Sequence, residues 1–122
     1  MSLEAIQVVS VPVSDQASAK RFYAEILGFA VVRDTPFQPD ARWIELAPAA
    51  GSAAIALVTW FAAAPPGSLQ GTVLRSNDID GDHERLSARG VQFSGPIQEA
   101  PWGRFATFRD PDGNGWVLQQ NA

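Results

Sequence analysis

The chain has 122 residues, 46% of them hydrophobic, and its nine Lys and Arg against 13 Asp and Glu give a formal net charge of -4. That length suffices for one compact domain with a real core. The acidic balance and the scattering of the few basic residues exclude a phosphate-binding surface for nucleic acid, and without a run of about 18 apolar residues no membrane span is expected.

There are no cysteines and only one histidine, His83. Disulfides, thiolate zinc sites and any site needing two imidazoles from one chain are therefore ruled out. A mononuclear site built from Asp, Glu and water would favour Mg or Mn. Met1 to Glu4 lacks the basic-then-apolar pattern of a signal peptide, so a cytoplasmic setting is the default expectation.

In chain order, residues 7–13 form a run rich in β-branched side chains and predict a strand. Ser14-Asp15 follows as a helix N-cap. Residues 16–27 then place Ala19, Phe22, Tyr23, Ile26 and Leu27 at helical spacing, and Gly28 is a natural stop. Strands are expected at 29–33, 42–47 and 53–60. Residues 61–70, which include Ala-Ala-Ala-Pro-Pro-Gly-Ser, predict a linker. The order then repeats, with a strand at 71–76, a cap at Asn77-Asp78, a helix at 80–89 with Leu86 facing inward, and Gly90 as its stop. Strands follow at 91–93, 104–109 and 115–120. Between the last two, Asp-Pro-Asp-Gly at 110–113 has type I turn chemistry and predicts a hairpin. Asp110 and Asp112 are assigned to this turn and His83 to a solvated helix face.

The echo of the two halves predicts an α+β fold of two β-α-β-β-β modules in one domain spanning 4–122. Module 1 covers about 5–60, the linker 61–70, and module 2 about 71–120. The segments "VPVSD", "RFYAEILGF", "DIDGDHERLSARGVQF" and "FRDPDGNGWVL" resemble the vicinal oxygen chelate superfamily, which contains glyoxalase, bleomycin-resistance and extradiol-dioxygenase proteins. The resemblance runs from about Ile6 to Gln119. It implies paired modules whose strands curve into a cupped mixed sheet around a ligand, with helices outside, and a homodimer.

The resemblance also implies four metal-ligand positions, in the first and last strand of each module. They fall on Val8, Ala56, Thr72 and Val117. Val and Ala offer no lone pair, and one neutral Thr hydroxyl cannot hold a divalent ion alone. No metal and no cofactor are therefore expected, and the metal-dependent glyoxalase and dioxygenase chemistries lose their Lewis acid.

Strand alternation extends these positions into a cup lining: Val8 and Ser10; Ala54, Ala56 and Val58; Thr72 and Leu74; Gly115, Val117 and Gln119. Pairing across the hairpin adds Phe105 and Thr107, comparison with the family adds Trp43 and Glu45, and Phe37, Trp60 and Trp102 are placed at the rim. Such a lining, mostly apolar with aromatic walls, suits a small, partly aromatic organic ligand, although the same rings could simply fill the cup as core. Trp116 and Leu118 are expected to point away from the cup. Glu45 is the one acid expected to face inward, either as a general base or paired with an arginine such as Arg42, Arg75 or Arg104.

The expected function is small-molecule binding of the bleomycin-resistance type. The alternative is a lyase- or dioxygenase-like enzyme that uses a non-standard metal site or Glu45. Neither nucleic acid nor membrane is an expected partner.

Overall fold

The computed structural model describes residues 2–122. Along them the order β-α-β-β-β occurs twice. The chain divides into two compact units, the first ending at Pro66 and the second beginning at Gly67. Among the described residues no helix is long and apolar enough to cross a membrane.

The first unit contains β1 (Val8–Pro12), α1 (Gln16–Arg21), β2 (Ala30–Gln38), β3 (Ala41–Ala47) and β4 (Ala54–Val58). Asp15 caps α1: its carboxylate accepts from the Ala17 N–H at 3.0 Å and the Ser18 N–H at 3.4 Å. The Ser18 backbone and hydroxyl bonds hold this carboxyl below the usual aspartate range. After Arg21 the helix widens into a π-helical stretch, Phe22–Ile26, closed by the Leu27 N–H on the Phe22 carbonyl at 3.0 Å. Both Phe22 and Tyr23 are buried, their rings meeting edge to face at 5.1 Å. Gly28 ends the helix at φ +83°, a conformation a side chain would resist.

The strand order is β1-β4-β3-β2, with β1 and β4 parallel and the other neighbours antiparallel. Helix α1 packs on β3 and β4. Val11, Ile44, Leu46, Ile55 and Leu57, none more than 5% exposed, form the core on that face. Between β3 and β4 the paired residues are Glu45 with Ala56 and Leu46 with Ile55. Beyond them the Gln16 side chain bridges the two strands, donating to the Arg42 carbonyl at 2.7 Å and the Leu57 carbonyl at 2.8 Å and accepting from the Arg42 N–H at 3.0 Å. It supplies partners to backbone groups that would otherwise lack them. On the same face Asp34 lies between Lys20 Nζ at 2.7 Å and Arg42 Nε at 2.6 Å.

The second unit contains β5 (Thr72–Arg75), α2 (Ile79–Ala88), β6 (Gln98–Ala100), β7 (Gly103–Arg109) and β8 (Gly115–Asn121), in the order β5-β8-β7-β6. Asp78 caps α2 through the Gly81 N–H at 3.1 Å, and Gly90 follows at φ +97°. Helix α2 packs on β7 and β8, where Ala106, Phe108, Trp116 and Leu118 are buried. Trp116 and Leu118 thus lie on the helix side, as their strand parity requires.

Two expectations fail in this unit. Residues 91–93 form no ladder: Phe93 makes a single bridge to Phe108, and the strand in that place is β6. The two apolar side chains are used for packing instead, with Val91 buried and Phe93 against Phe108 at 5.4 Å. His83 is only partly solvated, not a free face residue. Its ring stacks on Phe93 at 4.1 Å, and its Nε2 is enclosed with no hydrogen-bond partner among the described residues.

The 110–113 turn forms, with the Gly113 N–H on the Asp110 carbonyl at 3.0 Å. Asp110 and Asn114 are buried and hold it from inside. The Asp110 carboxylate accepts from the backbone N–H groups of Asp112 (3.0 Å) and Asn114 (2.8 Å) and from the Asn114 side-chain amide (2.8 Å). The Asn114 amide oxygen in turn accepts the Leu69 N–H at 3.1 Å, and the Gly115 N–H reaches the Leu69 carbonyl at 2.8 Å. The second half of the expected linker is therefore laced onto the turn. Gly67 has to be glycine there, since a Cβ would stand 2.2 Å from the Asp112 carbonyl oxygen at φ +84°.

Asn114→Ala strips a buried amide from this network and should cost about 2 kcal/mol, read as a lower urea midpoint. Lys20 first, then Arg42, hold the Asp34 carboxyl below its usual range. A depressed folded-state pKa stabilises above the unfolded value and is lost as pH falls through the folded one. Asp34→Asn should therefore cost up to about 1 kcal/mol at neutral pH and low salt. In urea titrations across pH, its gap from the wild type should close below roughly pH 4.

Candidate functional site

In each unit one sheet face is covered by a helix, and the opposite, open face carries the side chains of interest. In the first unit the register sets Val8 beside Ala54, and Ser10, Ala56, Glu45 and Arg33 in one row across the four strands. Trp43, two residues from Glu45 and beside Thr35, shares this face. Phe37, Trp43 and Trp60 form an aromatic wall: Phe37 lies 5.6 Å from Trp43 and 4.9 Å from Trp60, and the two indoles stack at 6.2 Å and 28°. Phe61, at the start of the expected linker, adds a tilted contact to Trp60 at 6.2 Å. Phe37 is half exposed and Trp43 and Trp60 are partly exposed, so the wall is not closed core.

The indole N–H of Trp43 donates to Glu45 Oε1 at 2.9 Å. This corrects the expectation of an arginine partner for Glu45: Arg42 engages Asp34, and Arg104 pairs with Asp80. On the other side of Glu45, its side chain, Ala47, Ala54, Val32 and the segment 2–7 border a recess of about 500 Å³. Ala56 and Val58, expected to line the site, are 0% and 1% exposed: neighbouring side chains bury them, and they are not open to a ligand.

In the second unit Val73, Val117 and Thr107 form one row, and Arg75, Gln119, Phe105 and Gln98 the next. Val117, Gln119, Phe105 and Thr107 therefore share the open face as expected. Trp102 stacks on Phe105 at 5.0 Å and 28°. Thr72 does not join them. It pairs with Trp116, and Leu74 with Leu118, so both belong to the helix-side rows. The residues that do take the open face, Val73 and Arg75, were missed because the strand was counted from Gly71 one residue out of step, which exchanges its two faces. The signal was present in the sequence: Gly71 stands as far before the Asp78 cap as Val8 stands before Asp15. A polar cleft of about 560 Å³ at Arg75, Ser76, Asn77, Asp82, Gln120 and Asn121 is a weaker candidate, because several of its polar groups already have partners within the protein. Ser76 Oγ donates to Asp82, and Gln120 Oε1 accepts the Ile79 N–H at 2.8 Å.

The positions at which the resemblance puts metal ligands do not fit a metal. Val8 and Val117 are hydrocarbon, Ala56 is hydrocarbon and buried, and Thr72 is turned to the helix side, leaving Gly71 in its place. Among the described residues no three His, Cys, Asp or Glu side chains converge.

Known proteins share this architecture. TnmS3, an antibiotic binding protein from Streptomyces sp. CB03234, is 47% identical, with a TM-score of 0.93 over 100% of this chain and 99% of its own. A superfamily member from Sphaerobacter thermophilus DSM 20745 is 32% identical, with a TM-score of 0.89 over 99% of this chain and 100% of its own. The uncharacterized protein YetH of Bacillus subtilis (strain 168) is 37% identical over 97% of this chain and 99% of its own length. The family model for the Glyoxalase/Bleomycin resistance protein/Dioxygenase superfamily matches residues 5–118. With the doubled β-α-β-β-β order already seen, the chain belongs to that superfamily.

Proposed function

We propose that this chain is a small-molecule-binding protein that sequesters an aromatic organic compound of the antibiotic class without a metal. The observation that carries the reading is the wall of Phe37, Trp43 and Trp60 on an open sheet face. Stacked, partly exposed indoles offer a large apolar surface of fixed geometry at low entropic cost, which suits a flat ring system. The antibiotic-binding description of TnmS3, at 47% identity over the full chain, supports the same reading. Trp102 and Phe105 give the second unit an aromatic patch of its own, beside Thr107, Val117 and Gln119. A homodimer in the cytoplasm is the setting this reading carries. The exposed apolar side chains of Val31 and Val32 on the edge strand β2 support self-association.

A metal-dependent reaction finds neither carboxylate nor imidazole at the four positions considered. Glu45, the candidate base, already accepts the Trp43 N–H. Its geometry favours a part in binding over one in proton transfer.

Titration of tryptophan fluorescence with a panel of polycyclic aromatic antibiotics should show saturable quenching by at least one member. Trp43→Ala should weaken that binding about tenfold or more, and prior treatment with a chelator should leave Kd within about twofold. A panel without a binder, or a Kd that collapses on chelation, would contradict the proposal.

A further inference from the structure

We infer, resting on that reading, that the ligand of this site carries a positive charge beside its aromatic system and that Glu45 recognises it. Glu45 stands between the aromatic wall and the 500 Å³ recess. Around it the recess offers apolar Ala47, Ala54, Val32, Leu3 and Ile6 together with polar Ser2, Gln7 and Ser52 and a second carboxylate, Glu4, so its only charged lining groups are acids. One carboxylate oxygen holds the Trp43 N–H, and that single bond leaves most of the group's acceptor capacity unused. Arg33 shares the row but is exposed, and no ion pair joins it to Glu45 among the described residues.

A neutral flat ligand covering this face would strip water from the carboxylate and return nothing to it. An anionic ligand would add repulsion. A protonated amine would complete the carboxylate's hydrogen bonds and gain the attraction of a cation for the indole faces of Trp43 and Trp60. The net charge of -4 draws cations toward the molecule in the same sense. The Glu45 to Trp43 bond then has two effects: it fixes the plane of the indole and sets a negative charge at its edge.

The test uses two tricyclic probes, proflavine as the cation and acridone as its neutral counterpart, titrated against the full chain by fluorescence. Proflavine should bind about tenfold or more tightly than acridone. Glu45→Gln, which keeps an acceptor for the Trp43 N–H, should bring the two Kd values within about twofold. In the unmutated protein the ratio should narrow when salt rises from about 50 to 500 mM. Equal binding of both probes, or a ratio that Glu45→Gln leaves unchanged, would overturn this inference alone. Binding of neither probe would overturn it together with the proposal it rests on.

Discussion

A strand has two faces, and a single helix can cover only one of them. In both units the parallel pairing of first and last strand, β1 with β4 and β5 with β8, decides which side chains go under the helix and which stay open. Once Val11 and Leu57 are committed to α1, Ser10 and Ala56 must face the other way, and Glu45 and Trp43 follow through the β3 register. Once Leu118 and Trp116 are committed to α2, Val117 and Gln119 are open. The helix faces are buried hydrocarbon cores, and the open faces keep partly exposed aromatic rings. That division creates the candidate site, and a one-residue shift of register would abolish it.

The parts of the fold legible in the sequence were those written in local chemistry. Asp15 and Asp78 cap their helices, Gly28 and Gly90 end them in left-handed geometry, and the Asp110 turn closes as its residues dictate. The doubled element order follows from those punctuation marks. What the sequence hid was written in long-range packing. Residues 91–93 alternate like a strand, yet Phe93 is claimed by His83 and Phe108, while β6, a polar Gln98–Ala100, has no apolar alternation to announce it. The π-helical widening at Phe22–Ile26 leaves no periodic signature distinct from an ordinary helix. The reach of Gln16 across to β3 and β4 depends on where those strands part.

The candidate site was half legible for the same reason. Parity gave Val8, Ser10, Trp43, Glu45, Phe105, Thr107, Val117 and Gln119 their shared faces once a single position in each strand was anchored. In β5 the anchor was one residue off, and Thr72 and Leu74 exchanged places with Val73 and Arg75. The aromatic wall was visible only as separate residues, since Phe37, Trp43 and Trp60 come from β2, β3 and the segment after β4. The partner of Glu45 was equally out of reach: charge matching pointed to an arginine, whereas the nearest donor on its own face is the indole two residues away. Three of the four metal-ligand positions needed no tertiary knowledge, because the hydrocarbon side chains of Val8, Ala56 and Val117 cannot ligate whatever their direction, whereas the placing of Thr72 needed the β5 register.

The central claim is that an aromatic guest lies on the open face of the first unit, against Trp43 and Trp60. The four tryptophans carry four indole N–H groups, and Trp116, buried under the helix side, is an internal reference. Nitrogen-proton correlation spectra recorded while a bound aromatic antibiotic is titrated in should shift the Trp43 and Trp60 indole signals and leave Trp116 in place. Saturable binding that moves Trp116 while Trp43 and Trp60 stay fixed would contradict the account.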